Sequence, residues 1–545
     1  MLGKGHTKAS SFKARPMKLC ELAKSVNGAI VSGNSDPKIK RLCLDSRQLT
    51  SGDLFFALKG ESFNGLNYVD SALEAGAVAV AAEIDEDDFD PKVPWVSVPH
   101  AREAMSAMSD AVNDSPSKKL KVIGVTGTNG KTTTSFLIQH LLGMSHRRPG
   151  LIGTIKYDLL GQDEIEVKHT TPEAPDLQYF LSEMVSNGCC SAVMEVSSHA
   201  IVQKRTAHVD FDVAVFTNLS HDHLDFHGDM TNYYEAKRGL FDQLVDDAKN
   251  NGKVAVINSD DEWGRKLVNY LSGKGVKTVT YGLSNGSDFR ASDISRRRTG
   301  TEFIIEAGPR KLKTSIPLIG RFNVYNALAA LASCVASGLN FRETAKNLKE
   351  LPQIPGRLES VSTGRAFEVY VDYAHTPDAL EKALQSLKEL DPRRIILVFG
   401  CGGERDDEKR AKMGAVASRI SNYSIITSDN PRNEPPSDII KDIVEGYKGD
   451  HYEVLEDRHE AIAQGVSYLA PGDILLIAGK GHEDYQLLGN ERIEFDDRII
   501  AGQMLNDRDH VRHEMVRESR RLREEEEASR INRFQDRGEV DREKR

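Results

Sequence analysis

Short, nearly unbroken apolar runs, each ending in a cluster of Gly, Asp, His or Arg, recur along this chain. Leu120, Val122, Ile123 and Val125 form one run, and Leu137, Ile138, Leu141 and Leu142 then recur on one face at helical spacing. The pattern predicts a strand, a glycine-rich loop and a helix. Further runs at Ala192–Met194 and Val213–Phe216 lead to Glu195 and to the polar stretch Asn218–Gly228. Between about residues 355 and 505 the pattern appears four times. Phe367–Val371 precedes Asp372–Pro377, Ile395–Phe399 precedes Gly400–Asp406, Ile425-Ile426 precedes Thr427–Arg432, and Ile474–Ala478 precedes Gly479–Glu483. Mostly parallel α/β sheets have this signature, and their ligands gather beyond the carboxyl ends of the strands. One such motif is an ordinary turn; four in series, carrying Arg, Asp and His, point to a site.

Punctuation divides the chain. Asn113–Ser117 reads as a linker, and Pro352, Pro355 and Gly356 mark a second boundary. The expected organisation is a basic, flexible extension over 1–16, a small α/β domain over 17–117, a central domain over 118–354 with a mostly parallel sheet, and a Rossmann-like α/β domain over 355–505. A tail over 506–545, dense in Arg and Glu, reads as a solvated helix or disordered end, with a protein-binding arm as the second reading. A length of 545 residues agrees with three or four domains. No apolar run reaches the roughly 18 residues of a membrane span, and no secretory h-region opens the chain. The six scattered cysteines lack zinc-ligand spacing and suggest a reducing compartment. The net charge of −10 argues against broad nucleic-acid binding, so an anionic substrate must be met by local cations and helix N-termini.

The loop between the first strand and helix is Gly127-Thr128-Asn129-Gly130-Lys131-Thr132-Thr133. Glycines let backbone N–H groups approach phosphate oxygens at a helix N-terminus, Lys131 can reach the β/γ-phosphates, and the Thr132 hydroxyl can ligate Mg²⁺. Val125 stands where the general phosphate-loop pattern has its first glycine. Glu195 at one strand end and the His/Asp cluster at the next could hold a divalent ion nearby. His221, His223 and His227 taken alone suggest zinc; beside a phosphate loop, Mg²⁺ fits better.

Taken in order, these motifs resemble the Mur ligase family, in its tripeptide-forming branch. The resemblance runs from about residue 42 to 498. It rests on Asp45-Ser46-Arg47, Gly52–Phe55, the loop at 127–133, Gly153-Thr154, Thr170–Glu173, Glu195–Ala200, Asp222–Gly228, Ala236-Lys237, Gly320–Asn326, Pro355–Glu359 and the four strand-end motifs. It implies a cytoplasmic, ATP-dependent amide ligase of peptidoglycan precursor synthesis. The γ-phosphoryl of ATP passes to the terminal carboxylate of UDP-MurNAc-L-Ala-D-Glu, and the amine of meso-diaminopimelate attacks the acyl phosphate. Closure of the third domain is expected during this cycle.

The resemblance also implies roles. Lys131 and Thr132 serve the phosphates; Thr132, Glu195, His223 and Lys237 hold Mg²⁺, Lys237 as a carbamate (N6-carboxylysine). Asn323 and Asn326 lie near adenine, and Arg357 and His375 face the nucleotide. Leu44, Ser46, Thr170, Thr171, Ser197, Gln203 and Arg205 hold the UDP-sugar peptide. Arg405, Asp429, Asn430, Pro431, Arg432, Gly479 and Glu483 hold diaminopimelate, with Arg432 suited to its distal carboxylate and Glu483 to its distal ammonium. Departures from the family pattern are Glu404 for Asp, Ala411 for Pro, His221 for Arg, His169 for Asn, and Leu66 for His or Arg. Two other readings remain at this point: a ligase that adds L-lysine, and a non-catalytic scaffold of a plastid transcription complex, which would place the chain in the stroma.

Overall fold

The computed structural model describes residues 16–60, 64–84, 93–161, 165–246, 252–297, 299–362 and 364–510. Residues 1–15 of the extension and most of the tail fall outside these residues; a helix over 497–510 includes the first residues of the tail. The chain divides into two compact units, Met1–Pro352 and Gln353–Arg545.

The first unit holds two large sheets and a small antiparallel pair, Met17–Lys18 with Lys38–Ile39. A five-stranded sheet runs in the order Ile30–Ser32, Trp95–Ser97, Ala77–Ala82, Asp53–Ala57, Arg41–Cys43, antiparallel only in its first pair. Its core combines Leu54, Phe56, Ala79, Ala81 and Val96 with the helix Ala101–Val112. The second sheet has ten strands. Strands from Pro149–Ile152 through Ser191–Glu195, Lys121–Thr126, Val213–Phe216, Val254–Asn258 and Lys277–Gly282 to Phe289–Arg297 are parallel. Both faces of such strands are covered, so they read as continuous apolar runs; all five residues of Val254–Asn258 are buried. Antiparallel strands Gly300–Ala307 and Arg310–Ile316 extend the sheet to an edge. The outermost strand exposes Arg310, Lys311 and Lys313.

The order of the central strands fixes the site. From Lys121–Thr126 the chain moves to Pro149–Ile152, returns to insert Ser191–Glu195 between them, then crosses to Val213–Phe216 on the other flank. Lys121–Thr126 is therefore a switch point, where open α/β sheets leave a crevice. Register aligns the carboxyl ends: Glu195 lies opposite Val125, and Phe216 opposite Thr126.

The second unit is a six-stranded sheet in the order Glu359–Ser360, Glu368–Asp372, Ile474–Ala478, Ile395–Phe399, Tyr423–Ile426, Tyr452–Val454, parallel apart from its first pair. A hairpin, Tyr485–Leu488 with Glu491–Glu494, follows. Beneath the strand ends, Arg458 and Asp497 form a fully buried ion pair. The Arg458 Nε and Nη2 donate to Asp497 at 2.8 and 2.7 Å, Nη2 donates to the Ala478 carbonyl at 3.0 Å, and Nη1 to that of Ser428 at 3.3 Å. This one guanidinium ties two strand ends to the C-terminal helix. Removing one member of such a pair strands a buried charge. Arg458→Ala is expected to destabilise this unit by about 3–5 kcal/mol, read as a lower denaturant midpoint. The double replacement Arg458→Met with Asp497→Leu should recover most of the loss.

Candidate active site

The phosphate loop takes its shape from two glycines. Gly127 has φ 144°, and a Cβ there would lie 1.9 Å from the Thr217 hydroxyl. Gly130, at φ 86°, caps the helix Lys131–Met144, and a Cβ there would meet Asn326 Oδ1 at 2.5 Å. Close backbone approach and left-handed φ both demand glycine here. The neighbouring strand end braces the loop. Thr128 N donates to the Asn218 carbonyl at 2.9 Å, and Asn129 N to Asn218 Oδ1 at 3.1 Å. Thr217 Oγ1 donates to the Asn129 carbonyl at 2.6 Å. The Lys131 ammonium folds over the loop, donating to the carbonyls of Gly127 and Thr128, each at 3.0 Å.

Glu195 is fully buried and collects hydroxyl and amide donors. Thr132 Oγ1 donates to Oε2 at 2.9 Å, Thr154 N to Oε1 at 2.8 Å, and Thr154 Oγ1 to Oε2 at 3.1 Å. A carboxylate and a threonine hydroxyl in contact at a helix N-terminus form the oxygen donor set that suits Mg²⁺, which takes one or two carboxylates and fills its remaining positions with phosphate and water. Among the described residues no group of three or more His, Cys, Asp and Glu side chains is gathered as a metal-ligand cluster. Of the three histidines that suggested zinc, His221 is exposed, and the His227 Nε2 pairs with Ser198 Oγ at 2.9 Å. His223 sits in left-handed backbone at φ 53°, its ring edge-on to His199 at 5.0 Å. Burial takes the His199 pKa down to about 4, with His223 and His227 pushing the same way.

Lys237 reaches the loop from the helix Met230–Asp246. Its side chain is buried, its ammonium donates to the Gly127 carbonyl at 3.0 Å, and it lies 4.6 Å from the centre of the Tyr233 ring. Burial holds its pKa well below that of an ordinary lysine, Lys131 adds to the depression, and Asp222 opposes it. A neutral amine can add CO₂; an ammonium cannot.

Beyond Glu195 the polypeptide assembles a second cluster. Thr170 Oγ1 lies 3.0 Å from Thr154 Oγ1, and Thr171 Oγ1 donates to the Glu195 carbonyl at 2.9 Å. Ser197 caps the helix Ser198–Val202, and its amide donates to Thr171 Oγ1 at 3.1 Å. Arg205 donates to the Thr171 carbonyl at 2.8 Å and to Gln203 Oε1 at 2.7 Å, and pairs with Glu173 at 2.7 Å. Leu44 packs on the N-terminal core that also contains Ala174, while Ser46 opens a short 3-10 turn. Asn326 Nδ2 donates to Asn323 Oδ1 at 2.9 Å, and Thr134 Oγ1 donates to Asn326 Oδ1 at 3.3 Å, so both asparagines abut the first turns after the loop.

In the second unit, Arg357 and His375 converge on Tyr373. The guanidinium lies 4.9 Å from the ring centre and the imidazole 4.5 Å. Burial raises the pKa of the adjacent Asp372 to about 6, against the pull of Arg357.

Three strand-end loops of this unit and the hairpin meet at the segment Asp429–Arg432. The Arg432 backbone is left-handed at φ 55°, and its amide donates to the Leu487 carbonyl of the hairpin at 3.1 Å. Nη1 donates to the carbonyls of Gly403 at 2.8 Å and Asn430 at 3.3 Å. Nε and Nη2 make no hydrogen bond among the described residues, which leaves one edge of the fork open. Asp429 and Asn430 are buried, and Gly479, at φ 119°, is required because a Cβ would sit 2.3 Å from Asp429 Oδ2. Glu483 accepts from Asn430 Nδ2 at 2.8 Å. A Cβ on Gly403 would lie 2.0 Å from the Pro431 carbonyl, so these two loops touch through backbone. Arg405 stands on the exposed tip beside them. Glu404 explains its departure from the family pattern: Asn433 Nδ2 donates to its Oε1 at 2.9 Å, and buried Arg410 holds Glu434, which accepts from Glu404 N at 3.0 Å.

Thr217, Tyr233, Arg458 and the hairpin escaped the sequence reading, and Thr154, Asn218 and Lys480 entered it only as members of motifs, without a role of their own. The glycine motifs could have pointed to Thr217, Asn218 and Lys480, which adjoin strand-end runs already singled out.

Known proteins share this chain's sequence and fold. The family model described as "Mur ligase family, catalytic domain" matches residues 38–113, "Mur ligase middle domain" matches 125–334, and "Mur ligase, glutamate ligase domain" matches 356–481. The UDP-N-acetylmuramoyl-L-alanyl-D-glutamate--2,6-diaminopimelate ligase of Halalkalibacterium halodurans is 43% identical over 492 residues, 90% of this chain and 99% of that one. The enzyme of the same name from Caldanaerobacter subterraneus subsp. tengcongensis is 41% identical over 491 residues, again 90% and 99%. A solved structure bearing that name superposes with a TM-score of 0.62 at 33% identity, covering 87% of this chain and 96% of the other. MurF from Acinetobacter baumannii, at 19% identity and a TM-score of 0.62 over 86% of this chain and 96% of its own, shares the fold. With three matched domains in order and relatives above 40% identity over nine-tenths of its length, the chain belongs to the Mur ligase family.

Proposed function

We propose that this chain joins meso-diaminopimelate to the D-Glu carboxylate of UDP-MurNAc-L-Ala-D-Glu at the expense of ATP, in the cytoplasm, as a step in peptidoglycan precursor synthesis. The observation that carries the choice of amino acid is Arg432, whose guanidinium is held along one edge by two carbonyls with its other edge open. A planar fork presented in this way suits bidentate binding of a carboxylate. Diaminopimelate has a distal carboxylate; lysine does not. Arg405, Asp429, Asn430, Pro431 and Gly479 shape the same pocket, and Glu483 faces the distal ammonium.

The chemistry follows from what each group can do. A carboxylate is a poor electrophile, so it first takes the γ-phosphoryl of ATP, and attack by the amine then releases phosphate. Lys131 and the loop amides hold the phosphates, Asn323 and Asn326 the adenine side, and Arg357 and His375 neutralise charge on the nucleotide. Thr132 and Glu195 would hold one Mg²⁺, with His223 and Lys237 as a carbamate at a second. Mg²⁺ bound there neutralises charge on the transferring phosphoryl group. Thr170, Thr171, Ser197, Gln203 and Arg205, with Leu44 and Ser46, position the UDP-linked peptide so that its carboxylate meets the phosphoryl group.

Side-by-side assays of ADP release, with UDP-MurNAc-L-Ala-D-Glu and either amino acid, test the reading. Expected kcat/KM for meso-diaminopimelate exceeds that for L-lysine by about 10³-fold or more, since an unpaired guanidinium in a built site rejects the analogue that lacks its partner. Turnover with lysine but not diaminopimelate would overturn it.

A further inference from the structure

Lys480 is fully buried on the strand-end loop that follows Ile474–Ala478. A buried ammonium must be paired, and its partners here are particular. Its Nζ donates to Asn430 Oδ1 at 3.0 Å and contacts Glu483 Oε2 at 3.3 Å, below the Tyr485 ring. Asn430 Oδ1 also accepts from the Leu487 amide at 3.0 Å, which fixes the orientation of the side-chain amide. Its Nδ2 must then face Glu483 Oε2, at 2.8 Å. Two donors therefore hold Oε2 inward, and Oε1 makes no hydrogen bond among the described residues.

We propose that Lys480 is a positioning residue for the amino-acid subsite: it orients Asn430 and turns one charged oxygen of Glu483 toward the distal ammonium of the incoming diamino acid. The inference rests on the proposed function. Lys480 need not touch the substrate; it acts through Glu483. Around that carboxylate stand Lys480, Asp429, Asn430, Tyr373, Tyr485 and Arg458. Burial raises the Glu483 pKa, Asp429 pushes the same way, and Lys480 opposes both. Glu483 must be ionised to meet an ammonium, so activity falls as pH drops through its pKa. Removing Lys480 raises that pKa further and moves the acid limb to higher pH.

The test is steady-state kinetics of Lys480→Met, Glu483→Gln and the double variant, with meso-diaminopimelate as the varied substrate across pH. Lys480→Met is expected to raise KM for diaminopimelate about 10- to 100-fold and to shift the acid limb of kcat/KM upward, with KM for ATP within twofold of wild type. In the Glu483→Gln background, Lys480→Met should add less than about threefold, because coupled residues are non-additive. An unmoved acid limb, or a full Lys480→Met effect in the Glu483→Gln background, overturns the inference. If Lys480→Met does not accumulate as folded protein, the double variant, which strands no charge, decides by the same comparison with Glu483→Gln. Wild-type enzyme inert toward diaminopimelate would instead refute the proposed function, which separates the two failures.

Discussion

Lys131→Ala is expected to lower kcat for ligation by about 10³-fold while the protein keeps its fold. The reason lies in where the ammonium sits. It lies over the loop between the Gly127 and Thr128 carbonyls, within a side-chain length of any phosphate cradled by the loop amides. Phosphoryl transfer asks a protein for little beyond positioning and charge neutralisation, and one preorganised donor in such a site is worth about 10²–10³ in kcat. A full positive charge belongs at the upper end. Stability should change little, since the loop keeps its braces from Thr217, Asn218 and Tyr233. The decisive measurement is ADP release under saturating substrates, with a thermal melt beside it. A variant that melts like wild type and turns over within tenfold of it would remove Lys131 from the proposed role.

Lys237→Met is expected to be nearly as severe, about 10²–10³-fold in kcat, for a different reason. A lysine that is 1% exposed beside a second lysine is poorly placed to carry charge. Desolvation favours the neutral amine, and the neutral amine is the form that adds CO₂ to give a carbamate. The product replaces an amine by two oxygen ligands beside the phosphate loop. Wild-type protein supplied with ¹³C-bicarbonate should give a carbamate resonance that Lys237→Met lacks, and small carboxylates should restore part of the activity of Lys237→Ala. Absence of the resonance from active wild-type enzyme would show that Lys237 works as an amine.

Much of this site was legible in the sequence, because parallel strands bury both faces and so announce their ends. Glu195, Asp372 and Gly479 each follow an unbroken apolar run, and each lies where its run stops. The roles attached to Lys237 and Arg432 came with the resemblance to a family, since nothing in spacing distinguishes either from a surface residue. The braces were illegible for a physical reason. Thr217 and Asn218 reach the loop because Val213–Phe216 happens to pair with Lys121–Thr126, and strand order across a switch point is a long-range property. Lys480 was read as part of a glycine motif; only the packed structure shows its ammonium out of water and bound to Asn430 and Glu483. The departure at Glu404 likewise gains meaning from Asn433, a contact between two loops 29 residues apart.

The edge of the ten-stranded sheet carries a consequence for the protein in a crowded solution. A terminal strand offers unsatisfied N–H and C=O groups to any extended segment that meets it, and unprotected edges seed aggregation. Here Arg310, Lys311 and Lys313 line that margin, and the ion pairs of Lys311 with Glu306 and Lys313 with Glu302 draw these chains toward the neighbouring strand. Two copies approaching edge to edge would bring like charges together and would have to break those pairs before any ladder could form. The sheet can thus grow to ten strands for the sake of its nucleotide crevice without becoming a template for its own precipitation.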